Sequence, residues 1–291
     1  MNAIVFHWWN NNVKNIEEDF FNPILLSVAC IRYFNISVPI YVIDISNHEI
    51  DWLDYDKKLN FKIIKKQKRF STNKNFFGDS MSRIWDISDV VNEIPEKNII
   101  FNDADVLWVQ NPFPLLNSWD KFNCNKNNGV FYFCKENIYS CKFIELWKER
   151  NFLVMFDETY RENFYKRIKI STIVKTYDEL VFKTILNDYP DLYKSINLIE
   201  NCIIFSPIKN PKNIHFIKEF CGNKNRILSI LSIQEITEKV ISVLGENFYG
   251  KKFINKLFSI KDLNKKSVIE YICSFGGNYK KATNYRIKNI F

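Results

Sequence analysis

Glycine and proline are scarce in this chain, at 7 and 8 of 291 residues, which excludes collagen-like, other fibrous and low-complexity classes. The seven cysteines are Cys30, Cys124, Cys134, Cys141, Cys202, Cys221 and Cys273. Their number is odd and no pair has C-x2-C spacing, so neither a zinc ribbon nor a dithiol redox motif is read. The pattern points to reduced, mostly buried thiols in a cytosolic protein. The N-terminal stretch MNAIVFHWWNNN has no basic segment and only a short apolar run before His7, so no signal peptide is expected. No run approaches the roughly 20 apolar residues of a transmembrane helix. A cytoplasmic location is expected, with peripheral contact at the inner face of a membrane left open.

Apolar residues make up 46% of the chain and aromatics 16%, enough for a large core. The length suits one large domain, or a domain with an appendage. The net charge of +8 is unevenly spread. Residues 206–291 carry a net +10 and residues 1–205 a net −2. A basic C-terminal third suits an anionic partner such as a phosphate-bearing glycan, a lipid-linked glycan, DNA or a membrane, and equally a solvated helical face.

Hydrophobic periodicity predicts an α/β fold. Ala3–Trp8 reads as a first strand, Phe20–Phe34 as a helix, Pro39–Asp44 as a second strand and Phe61–Ile64 as a third. This alternation predicts parallel strands. Asp79 opens a helix with Met81, Ile84, Trp85 and Ile87 on one side. Further strands are predicted at Gly129–Cys134 and Leu198–Phe205, and further helices at Ser140–Arg150 and Tyr177–Leu186. From Ser232 the pattern is helical. The expected organisation is a catalytic domain over 1–230 and a basic helical extension over 231–291.

One pattern carries chemistry. In NIIFNDADVLWVQNP an apolar strand runs into Asp103-Ala104-Asp105 and a second apolar run follows. Two carboxylates at the end of a buried strand are costly unless something compensates them. A divalent cation with hard oxygen ligands would do so, and open α/β sheets bind ligands outside the carboxyl ends of their strands. Backbone amides or a helix N-terminus would also serve. The second D-x-D, Asp54-Tyr55-Asp56, lies in the polar stretch WLDYDKKLN and reads as a solvated turn.

The segment IIFNDADVLWVQNPFPLL resembles the metal-binding segment of GT-A-fold glycosyltransferases, where an apolar strand ends in D-x-D ahead of a short apolar run and a proline turn. The likeness extends by pattern from IVFHWWN, through a helix with Ser27 and Arg32 and the strand VPIYVID, to about residue 226, roughly three quarters of the chain. It implies a GT-A, Rossmann-like mixed sheet flanked by helices, followed by a helical C-terminal extension. It also implies a nucleoside diphosphate sugar, UDP- or GDP-linked, as donor, a hydroxyl acceptor, and Mn2+ or Mg2+. Carried over residue by residue, Asp103 touches ribose or metal, Asp105 is the principal metal ligand, and His215 in PKNIHFIKEFCGNK is the third ligand. In one branch a Gly and a Lys that follow contact the diphosphate. Gly222 and Lys224 depart from that spacing, and Lys218 is equally placed.

The resemblance also assigns a basic residue on the helix after the third strand to the donor. Arg83 is the match, and Asp79, four residues earlier, shares its face, so a simple helix ion pair is the alternative. His7, Trp8 and Trp9 end the first strand, where the base lies, and an indole there either stacks on the base or belongs to the core. Asp178 and then Glu179 are the candidates for the acid that reaches the transferred sugar or serves as base. An acidic helix start is the local alternative. A sugar nucleotidyltransferase would carry a glycine-rich loop after its first strand, and HWWNNNVKN has no glycine. A nucleic-acid-binding module built on the basic C-terminal helices leaves Asp103 and Asp105 unexplained, whereas transfer to modified bases of DNA would use both features.

Overall fold

The computed structural model describes residues 1–16, 23–33, 37–104, 106–108, 111–115, 118–124, 129–169, 176, 178–196 and 213–215, the last three by their backbone. Asp105, Tyr177, Lys218, Gly222 and Lys224, the expected strand Leu198–Phe205 and the whole segment 231–291 lie outside the described residues.

Strand β1, Asn2–Trp8, is buried from Ala3 to Trp8, and β2, Ile40–Asp44, is buried throughout. Continuous burial on both faces is the mark of parallel strands with helices on either side, which is why these segments read as unbroken apolar runs. Both lie within a residue of the ranges read from sequence. The remaining strands are β3 (Lys62–Lys65), β4 (Asn98–Asp103), β5 (Val106–Trp108), β6 (Phe122–Cys124), β7 (Val130–Cys134), β8 (Tyr193–Ser195) and β9 (Asn213–His215). The helices are α1 (Pro23–Tyr33), the single turn α2 (Tyr55–Lys58), α3 (Gly78–Glu93), α4 (Ile138–Phe156), α5 (Glu158–Ile168) and α6 (Asp178–Asp188).

A seven-stranded mixed sheet runs β3-β2-β1-β4-β7-β6-β8, and β5 and β9 form a separate two-stranded ladder. β3, β2, β1 and β4 are parallel; β7 is antiparallel to both β4 and β6. The chain steps outward from β1 to β2 and β3, then returns to place β4 on the other side of β1. The order therefore reverses between β1 and β4, and the crevice at the carboxyl ends of that pair is the ligand position of an open α/β sheet. His7 and Asp103 are register partners at this point.

One face of the sheet packs on α3, α4 and α6 through an aromatic core. Phe122 stacks on Phe143 with ring centroids 4.0 Å apart, Phe101 stacks on Phe131 at 4.6 Å, and Trp147 is fully buried among them. Ile24, Leu25, Val28 and Ile31 bury the inner side of α1. Trp8, Trp52 and Phe61 form an edge-to-face run. Cys134 and Cys141 are free thiols.

Asp79 lies in the first turn of α3, whose N-cap is Phe77, without a side-chain cap. Asp54-Tyr55-Asp56, read as a solvated turn, forms the cap and first residues of the single-turn α2. It is solvated, since the Asp54 carboxylate is 77% exposed and pairs with Lys57.

Candidate active site

The turn after β4 is held from three sides. The Ser27 hydroxyl of α1 lies 2.6 Å from the Ala104 carbonyl and 2.9 Å from that of Val106. Asn102, fully buried, donates through Nδ2 to the carbonyls of Asp103 and Val106, and its Oδ1 accepts from Trp108 Nε1 at 2.8 Å. The Asp103 amide donates to the Gly129 carbonyl. The backbone on either side of Asp105 is therefore fixed by buried hydrogen bonds, the support a ligand-holding turn needs.

Helix α3 lays a polar row along the sheet. Arg83 reaches Asp103 Oδ1 with Nη1 at 2.5 Å and Asp178 Oδ2 with Nη2 at 2.7 Å, and lies over the Phe101 ring. Asp178 Oδ1 accepts from Ser80 Oγ at 2.7 Å. Arg83 is 8% exposed and Asp178 4%. Burial works against the charge on Arg83, but the Asp178 and Asp103 carboxylates outweigh it and hold the guanidinium above its ordinary value. The helix ion pair considered from spacing does not form, because Asp79 pairs with Lys68 at 2.7 Å. One turn on, His7 Nε2 meets Asp86 Oδ2 at 3.1 Å, with Ser82 Oγ on the same oxygen. His7 Nδ1 and Arg83 Nε are buried without hydrogen-bond partners among the described residues.

The structure thus brings His7, Asp79, Arg83, Asp103, Ala104 and Asp178 to the carboxyl ends of β1 and β4 and the first turns of α3 and α6. Glu179 is turned to Lys183, 2.5 Å away on its own helix. Trp8 is 4% exposed and packs edge-on against Trp52, so its ring is spent on the core; the exposed indole at this strand end is that of Trp9, 38% exposed and 5.7 Å from the His7 ring. Lys68, Ser80, Asp86 and Asn102 were missed from sequence. Their only signal is polarity at buried positions, which is invisible before the packing is known.

The β5–β9 ladder pairs Val106 with His215, Leu107 with Ile214 and Trp108 with Asn213. The backbone of His215 is thereby set opposite the residue that follows Asp105. Among the described residues no group of three His, Cys, Asp or Glu converges on one point. Asp105 and the His215 side chain are outside that set.

A parallel sheet reversing order beside an acidic strand end, with antiparallel strands added at one side, is the GT-A arrangement, and the chain has the GT-A glycosyltransferase fold. It is similar to mouse xyloside xylosyltransferase 1 in its apo form, with a TM-score of 0.50 and 11% identity over 77% of this chain and 99% of that one. Galactosyltransferase LgtC, solved with donor and acceptor sugar analogues, gives a TM-score of 0.48 and 12% identity over 81% of this chain and 95% of that one. GlyE of Streptococcus pneumoniae TIGR4 gives 0.47 and 15% identity over 91% of this chain, which spans 64% of the GlyE chain. No protein-family model matches the sequence, and no curated protein matches it. Among the described residues no helix is long and apolar enough to cross a membrane.

Proposed function

We propose that the protein is a metal-dependent glycosyltransferase that moves a sugar from a nucleoside diphosphate, UDP or GDP, to a hydroxyl of a glycan, glycolipid or other anionic acceptor. The observation that carries this reading is the β5–β9 register. It brings the segment of His215 beside the acidic turn at the switch point of the sheet. Two carboxylates and an imidazole suit Mn2+ or Mg2+, with oxygen ligands favouring both ions and the imidazole favouring Mn2+. The chemistry of this donor set, on a turn fixed by Ser27 and Asn102, fits such an ion. Asp103, Asp105 and His215 would hold it, and when bound it supplies neutralisation of the charge that develops on the leaving diphosphate.

The rest of the work falls to the chain's own groups. Arg83, buried and cationic, favours negative charge at the mouth of the crevice in surroundings where water does not screen it. Lys218 and Lys224 would add to that charge. Trp9 offers a ring face to the base at the end of β1. Asp178 has both oxygens engaged by Arg83 and Ser80, so it suits orientation of a sugar hydroxyl better than proton abstraction. Glu179, partly exposed and, among the described residues, paired with Lys183, keeps the freer carboxylate for a base on an acceptor hydroxyl.

The test is hydrolysis of a panel of nucleoside diphosphate sugars by the full chain with Mn2+ or Mg2+. One or a few donors should be cleaved, and chelation should stop the reaction. Cleavage of none, or cleavage indifferent to chelator, would overturn the reading.

A further inference from the structure

Helix α4 turns one stripe outward. Glu145, Glu149, Phe152 and Phe156 recur at the spacing of a single helix face, and all four are exposed. Phe152 is 52% exposed and Phe156 53%, with the two rings 5.0 Å apart. Phe156 rests on Phe70 at 5.6 Å and on Phe76 at 6.1 Å, so the aromatic surface is held from beneath. Acids bound it at both ends. Glu145 and Glu149 precede the rings, and the exposed Asp157 and Glu158 follow them. Of the nearby cations, Lys148 pairs with Glu145, and Arg161 donates to the carbonyls of Val154 and Met155. An exposed apolar patch with a polar rim marks an interaction surface, and this rim is acidic.

The chain carries a complementary segment of its own. Residues 251–266, KKFINKLFSIKDLNKK, hold six lysines against one aspartate, and lie outside the described residues. Phe253, Ile254, Leu257 and Phe258 fall on one side at helical spacing. Lys251 and Lys252 stand before them, and Lys261, Lys265 and Lys266 follow. The order base, apolar, base answers the order acid, aromatic, acid along α4. The lengths agree as well. Sixteen residues make about 24 Å of helix, and Glu145 to Phe156 spans about 17 Å. The charge of the whole chain has the same sense, with a net +10 over residues 206–291 and −2 over residues 1–205.

We propose that residues 251–266 dock as an amphipathic helix along the outer stripe of α4. Their apolar side covers Phe152 and Phe156, and their lysines meet the acids at either end. Part of the basic C-terminal charge then serves the chain's own core instead of an external polyanion. An anionic lipid surface suits the stripe poorly, because the acids around the rings repel it. The contact also reaches the loop that enters α3. Phe76, beneath Phe156, bridges to Thr176, two residues before Asp178. A segment seated on Phe156 therefore braces that loop from outside. None of this depends on the metal-site reading.

The experiment is carbodiimide cross-linking of the full chain, which joins a carboxylate to a lysine amine in contact with it. The links are mapped by mass spectrometry on an equal mixture of heavy- and light-isotope chains. Links from Glu149, Asp157 or Glu158 to lysines of residues 251–266 should form within one chain. Trypsin should cut after those lysines about tenfold faster in Phe152→Ser/Phe156→Ser and in Glu149→Lys than in wild type. Cutting after the exposed Lys57 and Lys58 of α2 should keep its wild-type rate, which separates undocking from loss of the fold. Links between heavy and light chains alone would put a second copy on the stripe and overturn the proposal. Equal trypsin rates after the lysines of residues 251–266 in all three proteins would overturn it too. So would sedimentation with phosphatidylglycerol vesicles that is lost in Phe152→Ser/Phe156→Ser, since the rings would then face lipid.

Discussion

Val106 and His215 are register partners across the β5–β9 ladder. Their pairing joins the residue after the acidic turn to a segment more than a hundred residues further along the chain, and it sets the backbone of the expected third ligand opposite the residue that follows the expected second in sequence. If His215 completes the donor set, His215→Ala should raise the Mn2+ concentration needed for half-maximal donor hydrolysis by at least the about 10- to 100-fold that even outer-shell partners of a metal are worth. A metal-titration curve that superimposes on wild type would remove His215 from the site.

The two indoles at the end of β1 should behave oppositely. Trp8 is packed on Trp52, and Trp8→Ala should cost about 3–5 kcal/mol of stability in denaturant titration. Trp9 is exposed at the crevice, and Trp9→Ala should leave stability nearly unchanged while raising KM for the donor about two- to tenfold. Equal effects of the two substitutions on stability would contradict the division.

Gly78 opens α3 against the backbone of the preceding loop. A Cβ there would press on the Phe70 carbonyl and lie 2.6 Å from the carbonyl carbon of Ser71. Gly78→Ala should therefore cost about 1–3 kcal/mol and, by displacing the start of α3, should also reduce transfer through Ser80 and Arg83. A melting temperature equal to that of wild type would show that the loop yields freely.

Most of the strands that could be read from sequence are buried on both faces, where every residue must be apolar; β3, only partly buried, was read from the short run Phe61–Ile64. β1, β2, β4 and β7 are of the doubly buried kind. β6, β8 and β9 have three residues each and show no period long enough to detect. α5, ETYRENFYKRI, buries only Phe164 and Tyr165, so its apolar face is too narrow to stand out from its charges. At the site, Asp103 was legible because it breaks an apolar run. The partners of Arg83 were not. Spacing offered Asp79 on the same helix, whereas the packing supplies Asp103 and Asp178 from other elements. Local periodicity says which face a residue takes and nothing about what the opposite face brings to it.

Asp188 ties α6 to α4 and α5 through Arg150, 2.6 Å away, and Arg167. The Arg167 hydrogen bonds, and after them those of Arg150, hold its carboxyl below its ordinary value of 3.8. A carboxyl depressed in the folded state contributes stability above its unfolded value, and that contribution is lost as pH falls through the folded value. Asp188→Asn should thus be less stable than wild type at neutral pH, by about 1 kcal/mol for a partly exposed pair. The gap should begin to close near pH 4 and continue closing below it. A gap that stays constant through that range in acid titration of stability would show that the ion pairs contribute nothing.

In the proposed reaction the acidic turn after β4 holds the ion that drives departure of the nucleoside diphosphate. Its most direct test is the Mn2+-dependent hydrolysis rate of the preferred nucleoside diphosphate sugar in Asp105→Ala against wild type, with the melting temperature of each recorded. Hydrolysis in Asp105→Ala should fall about a thousandfold, corresponding to several kcal/mol of transition-state stabilisation, with little change in melting temperature. Undiminished hydrolysis in Asp105→Ala that still requires the metal would contradict it.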